Sequence, residues 1–174
     1  MLKTDNLQLL KWNISHLKAL HISKDDLAAL LQLSIPVGWP QFPEAFSLPA
    51  DENQASSEAS DWGGYFFIDL SNKALVGSGG FHGQPDVAGN IEIGYEIAPE
   101  YWNRGFGTKA ARQLMDFAFA HVEVQAVSAT TLAEPNASNN VLQKIGMKFM
   151  NEIDDPEDGK LWRYQITRSE YAAR

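Results

Sequence analysis

The chain has 174 residues, a formal net charge of −8 and 44% hydrophobic residues, which suits one domain with a substantial core. It contains no cysteine, which excludes a disulfide framework, a thiolate metal site and a cysteine nucleophile. Lys and Arg do not cluster, so no nucleic-acid surface is expected, and no apolar run approaches the roughly 20 residues of a membrane span.

The opening stretch MLKTDNLQLLKWN lacks the charged start, apolar stretch and small-residue cleavage site of a secretion signal, so a cytoplasmic setting is expected. Residues 7–12 read as a strand. Ser15 reads as the cap of a short helix, and Asp25 and Asp26 as the opening of a second, Leu27 to Leu31. Pro36, Pro40, Pro43 and Pro49 break the next segment, with Trp39, Phe42 and Phe46 among them. That segment is either a loop packed on the core or a lid over a pocket. Residues 50–61 are polar and aperiodic, the pattern of a flexible loop inside a single domain spanning 1–174.

Gly64 to Leu70 and Ala74 to Phe81 read as a hairpin, with Gly79-Gly80 marking a bulge or a close backbone approach. Ile91 to Ala98 is a third strand. An amphipathic helix, Lys109 to His121, leads to a strand at Gln125 to Leu132. A short helix, Asn139 to Ile145, stops at Gly146, and two strands, 147–153 and 160–167, flank the acidic turn 154–159. The order predicts an α+β fold with a mixed, largely antiparallel central sheet of about seven strands and about four helices.

The stretch between the third strand and the long helix carries the chemistry. A strand that delivers a Gly-rich turn, Arg104-Gly105-Phe106-Gly107-Thr108, to a helix N-terminus can hold an anion on free N–H groups. The turn is too short for a nucleotide P-loop, and Ala110 stands where the dinucleotide fingerprint needs its third glycine. Local spacing alone leaves a phosphate site and a structural turn both open. His16, His21, His82 and His121 show no paired metal-ligand spacing and read as surface or packing residues. Alternation along the strand puts Glu92, Gly94 and Glu96 on one face, and Ile91, Ile93, Tyr95 and Ile97 on the other.

Residues Glu92 to Thr108 resemble motif A of the GNAT superfamily of acyl-CoA-dependent N-acyltransferases, in the branch that holds the ribosomal-protein N-terminal acetyltransferases. Asn136-Ala137-Ser138 through Val141-Leu142-Gln143-Lys144-Ile145-Gly146-Met147 is similar to the second signature of that branch. The two lie in the right order and separation, and the element order agrees over nearly the whole chain. Trp102 departs from the Gln or Arg usual at the first position of motif A, the Asn-to-Ser spacing is one residue short, and Leu142 stands where many members carry a catalytic Tyr.

The resemblance implies transfer of acetyl from acetyl-CoA to a primary amine, on a protein N-terminus or a small molecule, by direct attack on the thioester and without a metal. It implies that backbone groups of Tyr95, Glu96 and Ile97 pair with the pantetheine arm. The N–H groups of Asn103, Arg104, Gly105, Phe106, Gly107 and Thr108 would hold the pyrophosphate, Arg104 would add charge, and Asn136 would contact the pantetheine or order its loop. Glu92 is the first candidate for the base that takes the amine proton, directly or through a water, and Glu96 the second. Each is otherwise a solvated or salt-bridged strand glutamate. Ser138 is either a proton donor to the leaving thiolate or the N-cap of the following helix. A homodimer is compatible with the family. The alternative of another class is a non-catalytic acyl-CoA-binding sensor or scaffold module.

Overall fold

The computed structural model describes residues 2–4, 6–48 and 61–174. The loop expected at 50–61 therefore lies outside the described residues, Asp61 excepted. The chain forms two compact units, residues 1–80 with 95–106, and residues 81–94 with 107–174.

The first unit opens with β1 (Leu2–Thr4) and β2 (Leu7–Lys11), then α1 (Ile14–Ile22) and α2 (Lys24–Leu31), and continues into β3 (Gly64–Asp69) and β4 (Ala74–Phe81). These four strands pair in sequence order, each antiparallel to the last. The C-terminal half of β5 (Asn90–Ile97) runs beside β4, with Ala98 N–H donating to Val76 O at 2.9 Å. Five of the six residues of β3 are buried, as its unbroken apolar run Tyr65-Phe66-Phe67-Ile68 requires of a central strand. The core gathers Leu17 and Leu27 from the helices, Trp39 and Phe46 from the proline-rich segment, and Phe66, Ile68 and Leu75 from the strands. The segment 36–46 is thus packed on the core, with the Trp39 and Phe46 rings 5.1 Å apart.

Asn13, not Ser15, caps α1. Its side chain accepts from His16 N–H at 3.0 Å while His16 Nδ1 accepts from Asn13 N–H, a closed capping box that starts the helix two residues sooner. Ser23 caps α2 in the same way, accepting from Asp26 N–H. Gly80 does mark a close approach, since a β-carbon there would lie 2.1 Å from Gly63 O. The register shift falls instead between Phe67 and Ile68, where Val76 is the extra residue on β4.

The second unit takes in the N-terminal half of β5, α3 (Phe106–Ala120), β6 (Ala126–Leu132), α4 (Ala137–Lys144), β7 (Lys148–Asp155), β8 (Gly159–Thr167) and α5 (Arg168–Ala172). Strand order is β5-β6-β8-β7, with β5–β6 parallel and the other two pairings antiparallel. The parallel pairing follows from the helical crossover α3 that joins the two strands. Helix α3 buries Ala110, Ala111, Leu114, Met115, Ala118 and Phe119, one apolar stripe at helical spacing. Helix α4 ends in a Schellman arrangement, with Met147 N–H bonded to Leu142 O and Gly146 N–H to Gln143 O, both at 3.0 Å.

The expected α+β class and mixed, largely antiparallel sheet hold. Among the described residues there are eight strands and five α-helices, against an expectation of about seven and about four, the additions being the three-residue β1 and the five-residue α5.

Candidate active site

Strand β5 ends at Ile97, and Pro99–Tyr101 forms one 3-10 turn. The chain then alternates the sign of φ: Asn103 at +59°, Arg104 in the ordinary range, Gly105 at +80°. Such alternation points successive N–H groups toward one concavity, and α3 begins at the next residue with its first N–H groups unpaired within the helix. Helix α3 starts at Phe106, three residues before the sequence expectation, so Gly107 and Thr108 lie in its first turn. A β-carbon on Gly105 would meet nothing within 4 Å, so the glycine is needed for its positive φ, and the space before the turn is open. Phe106 is buried and its ring lies edge-on to Tyr101 at 5.9 Å, while the Arg104 guanidinium lies over the same Tyr101 ring, 5.2 Å from its centroid. The arrangement fits an anionic group such as a pyrophosphate.

The first unit clamps the strand end from one side. Glu96 is buried and its two carboxylate oxygens accept from Gln41 N–H at 2.7 Å and Ser78 Oγ–H at 2.9 Å. Ser78 Oγ in turn accepts from Trp39 Nε1–H at 2.9 Å. Ile97 O accepts from Gln41 Nε2 at 2.9 Å and from Trp102 Nε1 at 2.7 Å, so this carbonyl is occupied by the chain's own side chains. Glu100 accepts from Gly38 N–H at 2.9 Å, and this bond, above all, holds its carboxyl below the usual range.

Glu92 is placed differently. Its side chain is about one-third exposed and accepts from Thr130 Oγ1–H at 2.9 Å, with His82 Nδ1 3.8 Å from the same oxygen. The parallel ladder with β6 covers Asn90, Ile91 and Glu92 and stops there, although β6 runs on to Leu132. Glu92 therefore stands where the pairing ends. His82, Thr130, Ser78 and Gln41 were not singled out by sequence reasoning. His82 alone had a readable signal, because a hairpin closed about residue 87 sets 82 opposite 92, and His82 N–H does donate to Glu92 O at 2.9 Å.

In the second signature, Asn136 is the N-cap of α4. It accepts from Asn139 N–H at 3.0 Å while Asn139 Oδ1 accepts from Asn136 N–H at 2.8 Å. Its amide also donates to Glu134 O at 3.1 Å, so the side chain orders this loop. Ser138 is not the cap that the sequence allowed. It lies inside the first turn of a helix that begins at Ala137, half-buried. Leu142 is fully buried, which leaves no hydroxyl at that position. Pro135, Asn136, Asn139, Asn140, Gln143, Trp162 and Tyr164 line a cavity of about 320 Å³ beside α4. Among the described residues there is no cluster of three or more His, Asp or Glu arranged to hold a metal, and no helix long and apolar enough to cross a membrane.

The model of the acetyltransferase (GNAT) domain matches residues 6–148. The chain belongs to the GNAT acetyltransferase family. The domain it carries is that of an N-acetyltransferase, an enzyme that takes its acetyl group from acetyl-CoA. It is similar to the uncharacterised N-acetyltransferase YjdG of Bacillus subtilis, 27% identical over 150 residues, which cover 84% of this chain and 88% of that one. A match to the uncharacterised N-acetyltransferase YoaA of the same organism is 33% identical over 76 residues, 44% of this chain, and spans 43% of the relative's length. Among solved structures, RimL, the ribosomal L7/L12 alpha-N-protein acetyltransferase in complex with coenzyme A, aligns with a TM-score of 0.66 at 17% identity over 94% of this chain and 95% of that one, a likeness of fold.

Proposed function

We propose that this GNAT domain acetylates a primary amine, on a protein N-terminus or a small molecule, by direct attack on the thioester of acetyl-CoA. The turn at Asn103 to Thr108 carries the reading, with its alternating φ, its open front and its helix N-terminus. Its N–H groups and the Arg104 guanidinium hold the pyrophosphate. The backbone of Tyr95, Glu96 and Ile97 pairs with the pantetheine, using the groups of that stretch other than the occupied Ile97 carbonyl. Acetyl-CoA supplies a thioester whose carbonyl carbon the amine attacks and whose sulfur leaves. A backbone N–H near Ile97 faces the carbonyl oxygen as it gains charge.

Glu92 is the carboxylate that drives proton removal from the amine, directly or through one intervening group. Its partial exposure, and the end of the β6 ladder beside it, support this assignment over the enclosed Glu96. Ser138 is the hydroxyl we assign to the departing sulfur. A thiol with an ordinary pKa of about 8.5 leaves without strong acid help, which accords with a buried Leu142. Amine, base and thioester complete the reaction without a metal. A cytoplasmic setting and a homodimer belong to this reading.

Calorimetric titration with acetyl-CoA tests it, run beside the double variant Gly105→Glu/Gly107→Glu. The native chain is expected to bind and the folded variant, checked by circular dichroism, to lose binding. A native chain that does not bind acetyl-CoA sinks the proposal.

A further inference from the structure

We propose that His82 is the group that takes the proton from the amine, with Glu92 behind it as the carboxylate that orients its ring. This deepens the acetyltransferase reading and rests on it. His82 follows β4 directly and lies opposite Glu92, joined to it by the His82 N–H to Glu92 O bond of 2.9 Å. The imidazole Nδ1 is 3.8 Å from Glu92 Oε1, and Thr130 Oγ1–H holds that same oxygen at 2.9 Å. A fixed carboxylate facing Nδ1 favours the tautomer with its proton there and leaves the lone pair on Nε2. The gap is longer than a hydrogen bond. The ring is 63% exposed and can close it by rotation, as hydrogen bonds in unliganded active sites often do once substrate is bound.

The second observation is Gly94. A β-carbon on this residue would lie 2.8 Å from His82 Nε2, with the ring's Cε1 at 3.4 Å. The imidazole therefore lies over the one place on β5 where the strand has no side chain, with Nε2 against it. Tyr95, the next residue, begins the backbone stretch assigned above to the pantetheine. Gly94 thus leaves room for the imidazole on β5. A histidine this exposed contributes little to the core, so a structural role does not account for the glycine beneath it.

The step balances within the proposed reaction. The amine nitrogen forms the bond to the acetyl carbon, its proton passes to Nε2, and the carbon–sulfur bond breaks with the electron pair on sulfur. The imidazolium, held against Glu92, gives its proton to water, and the sulfur takes one from the Ser138 hydroxyl, which water restores. One amine and one thioester become one amide and one thiol.

Three variants of the full chain test this: His82→Ala, Gly94→Ala and the double variant. Turnover is measured with spermidine and with a tripeptide bearing a free N-terminus, and acetyl-CoA affinity by calorimetry. His82→Ala is expected to lower kcat by about 10²–10⁴, with acetyl-CoA affinity kept and activity partly restored by added imidazole. Gly94→Ala pushes the ring aside and is expected to lower kcat comparably, with no further loss in the double variant. Nitrogen NMR of the neutral His82 ring, assigned against His82→Ala, needs no amine substrate and is expected to show the proton on Nδ1, with the ring signal moved in Gly94→Ala. A His82→Ala chain that binds acetyl-CoA and keeps kcat within about twofold overturns the proposal, as do strictly additive losses or a ring with its proton on Nε2. Failure of the native chain to bind acetyl-CoA is the distinct result that overturns the parent reading and this one with it.

Discussion

Glu92 and Glu96 are four residues apart on one strand, and the sequence makes both candidates for the same task. Their partners separate them. Glu96 has both oxygens committed, one to Gln41 N–H and one to Ser78 Oγ–H, and through Ser78 it reaches the Trp39 indole. A carboxylate holding this network has its lone pairs directed at the segment 39–41 and is suited to positioning that segment. The expected outcome for Glu96→Ala is a rise in amine KM of about tenfold, or ~1.4 kcal/mol, with a smaller change in kcat. Glu96→Gln is expected to recover much of the KM, because its amide oxygen still accepts from Gln41 N–H and its NH₂ can donate to Ser78 Oγ. The indole N–H resonance of Trp39 is expected to move in the alanine variant and to return toward its native position in the glutamine variant. A kcat that collapses equally in both variants contradicts the positioning role. Alternation along β5 made the two glutamates visible in the sequence. What covers Glu96 was not visible, because Trp39 and Gln41 lie more than 50 residues away and carry no periodic signal.

Elements were legible where they were long and periodic. The middle strands and α3 needed only alternation or the helical stripe, and the acidic turn 154–159 bounded its two strands within a residue or two. The start of α3 could have been read too, since Phe106, Ala110, Leu114 and Ala118 share one face, but Gly107 looks like a helix breaker. β1 and α5 were missed because three and five residues carry no usable period. Helix α5 is instead fixed by a capping box at Thr167 and by tertiary partners. Tyr171 stacks on Phe119 at 4.5 Å, and Glu170 accepts from Lys148 Nζ at 2.6 Å and from Thr167 N–H at 2.9 Å. The Lys148 bond first, then the Thr167 groups, bring the Glu170 carboxyl down to about 2. A folded-state value below the unfolded one of about 4.5 gives a contribution that is full above pH 4.5 and lost as the pH falls toward 2. Glu170→Gln is therefore expected to melt below the native chain at pH 6, with the difference shrinking between pH 4.5 and pH 2. A difference independent of pH would show that the ionised carboxylate is not what fixes α5.

At the scale of the molecule, the family was legible because two signatures sit in the right order within a matching sequence of elements. The acceptor was not, because it depends on loop shapes that composition does not fix. The first claim has a test that involves no acceptor. A ligand that binds only the folded chain stabilises it by RT ln(1 + [L]/Kd), which is about 2.7 kcal/mol at one hundred times Kd. For a domain of this size each kcal/mol raises Tm by roughly 2–4 °C, so saturating acetyl-CoA is expected to raise Tm by roughly 5–10 °C. Gly105→Glu/Gly107→Glu places two carboxylates in the turn, one of them facing open space at a residue with φ of +80°, so some loss of intrinsic Tm is expected in the variant. The informative quantity is thus the shift that acetyl-CoA adds to each chain, not the two Tm values themselves. Free adenosine, which lacks the pyrophosphate, is expected to shift neither chain. If acetyl-CoA shifted both chains equally, the anion would be held somewhere other than the turn. The assignment of Asn103 to Thr108 would then fail even with the family intact.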